Sequence, residues 1–401
     1  MKIPGLSCPA AVCERNLFMH QPVTGIIAEY NPFHLGHQHQ IQEIRKITSG
    51  PVIAVMSTCF VQRGEPALLQ VSDRVRMALL SGVDAVFALP VSYSLQDAEH
   101  FAMGGIALLT GLGCRYISFG AECADAAFLR KLARLLEEPE GPMREMIREH
   151  LDAGKSFPVA QALAAEACLP GSMQVLSKPN NNLALAYLRQ MEKQHSAMGP
   201  LLIQRSSDYH ATSLGDAYPS AGAVRSAMLK GDWMAVEKAI PSGTFPVILK
   251  AAQEGRLHTP RALEMAVLAH IRCLKPGKDD PEGLVSLMRK AAKTASSLPE
   301  LFSAMETRRY TRSRIRRLVW QSFLDLPSPP AVPPPAALLL GIRKDAGDLL
   351  HILGKGTLPL EGGAGNLKGP CWEMEARAWD MWALGCAQPC GTLFSHGVVR
   401  V

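Results

Sequence analysis

Short, continuous apolar runs alternate with longer stretches of helical spacing through the first half of the chain. Residues 24–29 (TGIIAE), 52–57 (VIAVMS), 85–89 (AVFAL) and 116–119 (YISF) are rich in β-branched and aromatic residues and read as strands. Helical patterns separate them, the first over 36–46, after a turn at Asn31-Pro32. Strands that are apolar throughout rather than alternating predict a parallel sheet covered on both faces, a Rossmann-like α/β fold. From about residue 231 the strand signal fades, and helical spacing dominates 261–274, 282–295 and 310–326. The pattern therefore predicts an α/β domain over 21–230 and a mainly α-helical domain over 231–401. Residues 327–335 (PSPPAVPPP) hold six prolines in nine, which suits a stiff extended linker. Residues 1–20 have no continuous apolar segment of the kind a secretory signal needs, and read as a disordered extension, with Met19 as an alternative start.

Composition narrows the class. At 401 residues and 47% apolar the chain can bury a large core. No uncharged apolar run reaches the roughly 18 residues that would span a bilayer, so a soluble protein with no membrane partner is expected. Ten cysteines are scattered without a CxxC pair, which points to small buried hydrophobes in a reducing cytoplasm rather than to disulfides or a zinc knuckle. The net charge of +6 is modest, but six arginines fall within 308–317. Nothing in the chain points to a protein partner.

The candidate chemistry begins where the first strand ends. Asn31-Pro32-Phe33-His34-Leu35-Gly36-His37 links a strand to a helix, so unpaired N–H groups and the positive end of the helix dipole face whatever lies over the loop. Such a place suits an anion. Gly36 lets a phosphate approach the backbone, and His34 and His37 can donate to its oxygens. Donors preorganised there would stabilise charge growing on an α-phosphate. A histidine pair in a polar loop is the plain alternative; two histidines alone are too few for a zinc site, and no metal centre is expected.

HLGH is similar to the HxGH signature of nucleotidylyltransferases related to class I aminoacyl-tRNA synthetases. Within them the chain resembles the tRNA(Met) cytidine acetate ligase family. GIIAEYNPFHLGH (25–37), AVMSTCFVQRGEPA (54–67), FGAE (119–122), LSKPNNNLALAY (176–187), SSDYH (206–210) and RRYTRSRIRRL (308–318) carry the resemblance, spanning about 24–345 in order. It implies that acetate attacks the α-phosphate of ATP, and that the acetyl-adenylate acylates the 4-amino group of the wobble cytidine in elongator tRNA(Met). Magnesium is expected to accompany the ATP.

By motif, the resemblance puts ATP against Ile27, Ala28, Glu29, Tyr30, Asn31, Pro32, Phe33, His34, Leu35, Gly36, His37, Gln38, His39 and Gln40, together with Gly120, Asn180, Asn181 and Arg205. The two asparagines follow a proline and read as loop residues, with turn formation as their plain alternative. A surface ion pair is the alternative for Arg205. Residues 218–225 (YPSAGAVR) occupy the place of the superfamily's second phosphate motif. Ser220 is then a helix N-cap and phosphate ligand, and Arg225 counters the leaving pyrophosphate. Where the family usually has threonine this chain has Gly222, so one hydroxyl is missing.

Arg63, on a loop after the second strand, is placed against phosphate or tRNA. Arg308, Arg309, Arg312, Arg314, Arg316 and Arg317 form a basic amphipathic helix with Tyr310 as a stacking candidate, the leading tRNA-binding surface. A solvated charged face is the alternative. Two rival functions stay open. One is a nucleotidylyltransferase acting on a small metabolite; the other is an RNA-binding protein with a decayed nucleotide site, which the missing hydroxyl at Gly222 favours.

Overall fold

The computed structural model describes residues 21–137, 139, 141–204, 219–275, 280, 283–307, 310–387 and 392–401. The extension 1–20, Arg205, the SSDYH block, Arg308 and Arg309 lie outside them. The strands are β1 (Thr24–Ala28), β2 (Val52–Ser57), β3 (Phe60–Val61), β4 (Glu65–Pro66), β5 (Ala85–Leu89), β6 (Tyr116–Ala121), β7 (Gly199–Gln204), β8 (Ala337–Ile342), β9 (Leu360–Glu361) and β10 (Val399–Arg400). The main sheet runs β10-β8-β5-β2-β1-β6-β7, with β9 beside β8, while β3 and β4 make a separate small hairpin. From β5 to β7 all neighbours are parallel. Chain direction through the sheet reverses between β1 and β6, so a crevice opens beyond their carboxyl ends, where doubly wound sheets bind ligands.

The residues explain the layering. In β2, Val52, Ala54 and Met56 face one core, while Ile53 and Val55 face the other, as the two-residue repeat of a strand requires. The second core holds the helices Ala98–Gly111 and Pro179–Lys193. The first extends without a break from the sheet into the helices Pro260–Cys273, Leu284–Ala292, Leu298–Met305, Arg312–Phe323 and Pro370–Ala383.

That continuity corrects the division expected at residue 231. Residues 231–326 are helical, but the tail returns to the main sheet: β8 pairs antiparallel with β5, and β10 pairs with β8. All six β8 residues (ALLLGI) are buried, and an apolar strand of this kind needs cover on both faces. The tail therefore completes the α/β layer rather than extending a helical domain.

Candidate active site

His34 is the N-cap of the Leu35–Thr48 helix. Its Nδ1 accepts from the backbone N–H of Gly36 at 3.0 Å, while His37 Nδ1 accepts from the backbone N–H of His34 at 3.2 Å. The imidazoles thus perform the reciprocal capping usually done by Ser or Thr with Glu. Because each Nδ1 receives a hydrogen, the proton of each neutral ring is assigned to Nε2. Both histidines are donors at the positive end of a 14-residue helix. The rings stack with centroids 3.8 Å apart, and Tyr30 and Phe33 pack against His37 at 4.9 and 5.4 Å.

The rest of the loop is scaffolding. Tyr30 and Phe33 are buried, and Tyr30 takes a positive φ of 45°, sparsely populated for a bulky residue. Asn31 accepts from Leu68 N–H through Oδ1 at 2.8 Å, and its carbonyl accepts from Arg225 at 2.7 Å. Beneath the loop, fully buried Arg74 donates to the carbonyls of Glu29 (2.7 Å), Ser57 (2.9 Å) and Thr58. Burial lowers its pKa to about 10, which leaves it charged at neutral pH.

Beside the histidines lies a cavity of about 150 Å³. Of the expected nucleotide residues, Ile27, Ala28, Glu29, Tyr30, His37, Gln40, Gly120 and Asn180 line it, as does Arg63. Asn31, Pro32, Phe33, His34, Leu35, Gly36, Gln38, His39 and Asn181 are not in its wall. His39 instead sits 3.8 Å from Glu43 along the helix. Asn180 and Asn181 occupy the first turn of Pro179–Lys193 rather than a loop, because Pro179 is well suited to an N1 position. Asn181 ties down the end of β6, its Oδ1 accepting from the N–H groups of Glu122 and Cys123 at 2.9 Å each, while Asn180 donates to Glu122 at 2.7 Å. The wall also includes Ile26, Gln62, Phe101, Phe119, Leu183 and Tyr187, none of which was singled out from the sequence. The one signal for part of that set is spacing: Asn180, Leu183 and Tyr187 share a helix face.

The second phosphate motif meets the first. Ser220 is the N-cap of the Ala221–Lys230 helix, its Oγ accepting from Ala223 N–H at 3.1 Å. Arg225 reaches both the Asn31 carbonyl and Glu65 Oε1, the latter at 2.5 Å. Among the described residues a Cβ on Gly222 would meet only Ser220 Oγ, at 3.7 Å, an ordinary van der Waals contact.

The basic helix divides into two faces. Arg312 and Arg314 are exposed. Arg316 and Arg317 turn inward onto the β3–β4 hairpin: Arg316 sits 3.5 Å from Glu65, and Arg317 donates to the Gln62 carbonyl at 3.1 Å. Burial lowers the pKa of both. Gly64, with φ of 76°, lies so close that a Cβ would come within 2.5 Å of the Arg317 nitrogen and 2.7 Å of the Arg316 Cβ. Tyr310 is buried with the Arg314 guanidinium 5.4 Å over its ring, so the expected stacking platform is a core residue. The burial follows from its place among the apolar residues of the adjoining helices.

A doubly wound sheet, a histidine-capped helix at its switch point and a second phosphate motif docked on the first define a nucleotidyl transferase of the HIGH type. The family model described as HIGH Nucleotidyl Transferase matches residues 21–385. The chain is 36% identical to the tRNA(Met) cytidine acetate ligase of Fervidobacterium nodosum, over 76% of this chain and 73% of that one. It is 35% identical to the enzyme of that name from Caldicellulosiruptor saccharolyticus, over 75% and 76%. This chain belongs to the tRNA(Met) cytidine acetate ligase family. Its structure superposes on the crystal structure of apo Thermotoga maritima TmcAL with a TM-score of 0.88 at 27% identity, covering 95% of this chain and all of that one. Against TmcAL bound with alpha-thio ATP the TM-score is 0.85 at 26% identity, with the same coverage.

Proposed function

We propose that this protein activates acetate with ATP and transfers the acetyl group to the 4-amino group of the wobble cytidine of elongator tRNA(Met). In the first step a carboxylate oxygen of acetate attacks the α-phosphorus, the bond to the β-phosphate oxygen breaks, and pyrophosphate leaves. In the second, the cytidine amine attacks the acetyl carbonyl and AMP leaves. The observation that carries the reading is the histidine capping box, which fixes two Nε2–H donors at a helix N-terminus beside the cavity. Negative charge grows on the α-phosphate oxygens in the first transition state, and donors already oriented need no rearrangement to meet it.

Adenosine is assigned to the cavity between β1 and β6, where Gly120 and Asn180 line the wall with Phe119 and Tyr187. Magnesium would arrive with the nucleotide and keep phosphate and water ligands. The donor chemistry fits that mode, since the described residues of the cavity wall carry a single carboxylate, Glu29. Transfer RNA is assigned to the exposed face of the Arg312–Phe323 helix, with Arg312 and Arg314 on phosphates. A cytoplasmic location is assigned with the tRNA substrate; no described helix is long and apolar enough to cross a membrane.

The test is acetate-dependent pyrophosphate release from ATP, followed in the same reaction by transfer of labelled acetate to unmodified elongator tRNA(Met). Both signals are expected. Pyrophosphate release without transfer would favour a small-metabolite acceptor; tRNA binding with neither signal would favour an RNA-binding protein.

A further inference from the structure

Amide formation at an aromatic amine releases a proton, and the groups already assigned at this site are poorly placed to take it. Each histidine accepts a backbone N–H at Nδ1 and so holds its hydrogen on Nε2, which makes both rings donors. Arg63 is a cation. Glu29 carries the one carboxylate among the described residues lining the cavity. A carboxylate beside a site for a polyanion is electrostatically unfavourable, so its presence asks for a role that phosphate binding does not supply.

Its geometry suggests that role. Glu29 directly follows β1, and one oxygen, Oε1, is held by the backbone N–H of Gln62 at 2.8 Å. The other is the atom that bond leaves to a ligand. Gln62 is also the residue whose carbonyl receives Arg317 of the basic helix. Glu29 therefore stands where the nucleotide cavity meets the hairpin that the basic helix covers. A carboxylate is the side chain that accepts from the 4-amino group of cytosine.

We propose that Glu29 is the catalytic base of the acyl-transfer step, accepting a proton from the cytidine 4-amino group through Oε2. The amine nitrogen bonds to the acetyl carbon, its proton passes to Glu29, and the acetyl–phosphate C–O bond breaks with its electron pair going to AMP. Burial raises the carboxyl's pKa, opposed by Arg63, Arg225 and the Gln62 N–H and reinforced by Glu65. A weaker acid is the better proton acceptor at neutral pH. The assignment rests on the acetate ligase reading above.

Glu29→Gln keeps an oxygen for the Gln62 N–H and removes the base. Wild type and variant are compared in acetate-dependent pyrophosphate release, in single-turnover transfer to tRNA, and in trapping of the adenylate by hydroxylamine, which attacks as a free amine. The expected result is that transfer falls on the order of a hundredfold further than either of the other two rates. Equal losses in all three would assign Glu29 to phosphate, metal or loop bracing, and an unaltered transfer rate would remove it from the reaction; either overturns the proposal. If Glu29→Gln does not fold, Glu29→Asp serves: a smaller split in the same direction is expected, and equal losses overturn the proposal. A wild type that releases no pyrophosphate with acetate would instead overturn the acetate ligase reading.

Discussion

The His34 imidazole caps its helix through Nδ1 and so carries its hydrogen on Nε2, and a substitution that keeps the cap and removes that donor separates folding from chemistry. Asparagine is among the best N-caps, whereas a capless residue costs about 1 kcal/mol. His34→Asn is therefore expected to leave the melting temperature within a few degrees of wild type while acetate-dependent pyrophosphate release falls about a hundredfold. Loss of stability with retained turnover would reverse the assignment. His258 shows the opposite case, a histidine whose role is purely structural. It is 1% exposed, stacks 5.3 Å from Trp382, and neither ring nitrogen finds a hydrogen-bond partner among the described residues. Burial drives its pKa from 6.5 down to about 3. Between those values the unfolded chain binds the proton and the folded one does not, so stability rises with pH through this window, by up to ~1.4 kcal/mol per unit. Urea midpoints measured from pH 7 to 4.5 are expected to fall for wild type and to fall less for His258→Leu. Equal slopes would place the acid sensitivity elsewhere. The motif histidines stood out because strand, loop and helix start are contiguous in the chain, but their reciprocal capping through Nδ1 did not show in the sequence. His258 was not, because its environment is made by Leu68, Trp382 and Gly385, far away in the chain.

The Arg312–Phe323 helix was visible in the sequence as an element, but its two faces were not. Charge density alone made the six arginines of 308–317 one basic amphipathic helix; Glu65 and Gln62, more than 250 positions earlier, turn Arg316 and Arg317 inward. The β3–β4 hairpin then becomes a bridge. Its Gln62 N–H holds Glu29 in the cavity, its Gln62 carbonyl takes Arg317, and its Glu65 receives both Arg225 and Arg316. Two variants should therefore behave differently. Arg312→Ala with Arg314→Ala is expected to weaken tRNA binding and reduce the magnitude of the salt slope by about 1 to 2, with a smaller effect on adenylation. Arg317→Ala loosens the hairpin and is expected to lower pyrophosphate release even without tRNA. Filter binding across a salt series, run beside the pyrophosphate assay, compares them. Identical profiles for the two variants would mean that the helix acts as one surface.

At the scale of the whole molecule, the strands of the parallel sheet around β1 followed from apolar runs and helical spacers, whereas their order and the return of the tail did not. Residues 337–342 are an apolar run like the others, but nothing local states that β8 joins the edge of β5 in the opposite direction. Long-range bonds fix that closure. Glu375, fully buried in the Pro370–Ala383 helix, accepts from Val91 N–H at 2.5 Å and from Trp379 at 2.8 Å, and Trp382 donates to the Ala67 carbonyl at 2.7 Å. The bonds to Val91 and Ala67 each hold a connection that follows a strand of the nucleotide half. If residues 327–401 were an appended domain, a chain ending at Leu326 would keep the histidine motif, the cavity and the basic helix, and would fold. The continuous core argues otherwise: removal of β8 exposes the edge of β5 and uncovers the apolar faces of Val86 and Phe87, against which β8 pairs. The truncated chain is expected to lack a cooperative melt and to lose ATP binding, although every residue lining the nucleotide cavity is still present. In the full chain, tryptophan fluorescence reports mainly the Pro370–Ala383 helix through Trp372, Trp379 and Trp382, and its unfolding transition is expected to coincide with that of far-ultraviolet circular dichroism. A soluble truncation that binds ATP, or two separated transitions in the full chain, would restore the independent C-terminal domain that helical spacing alone suggested.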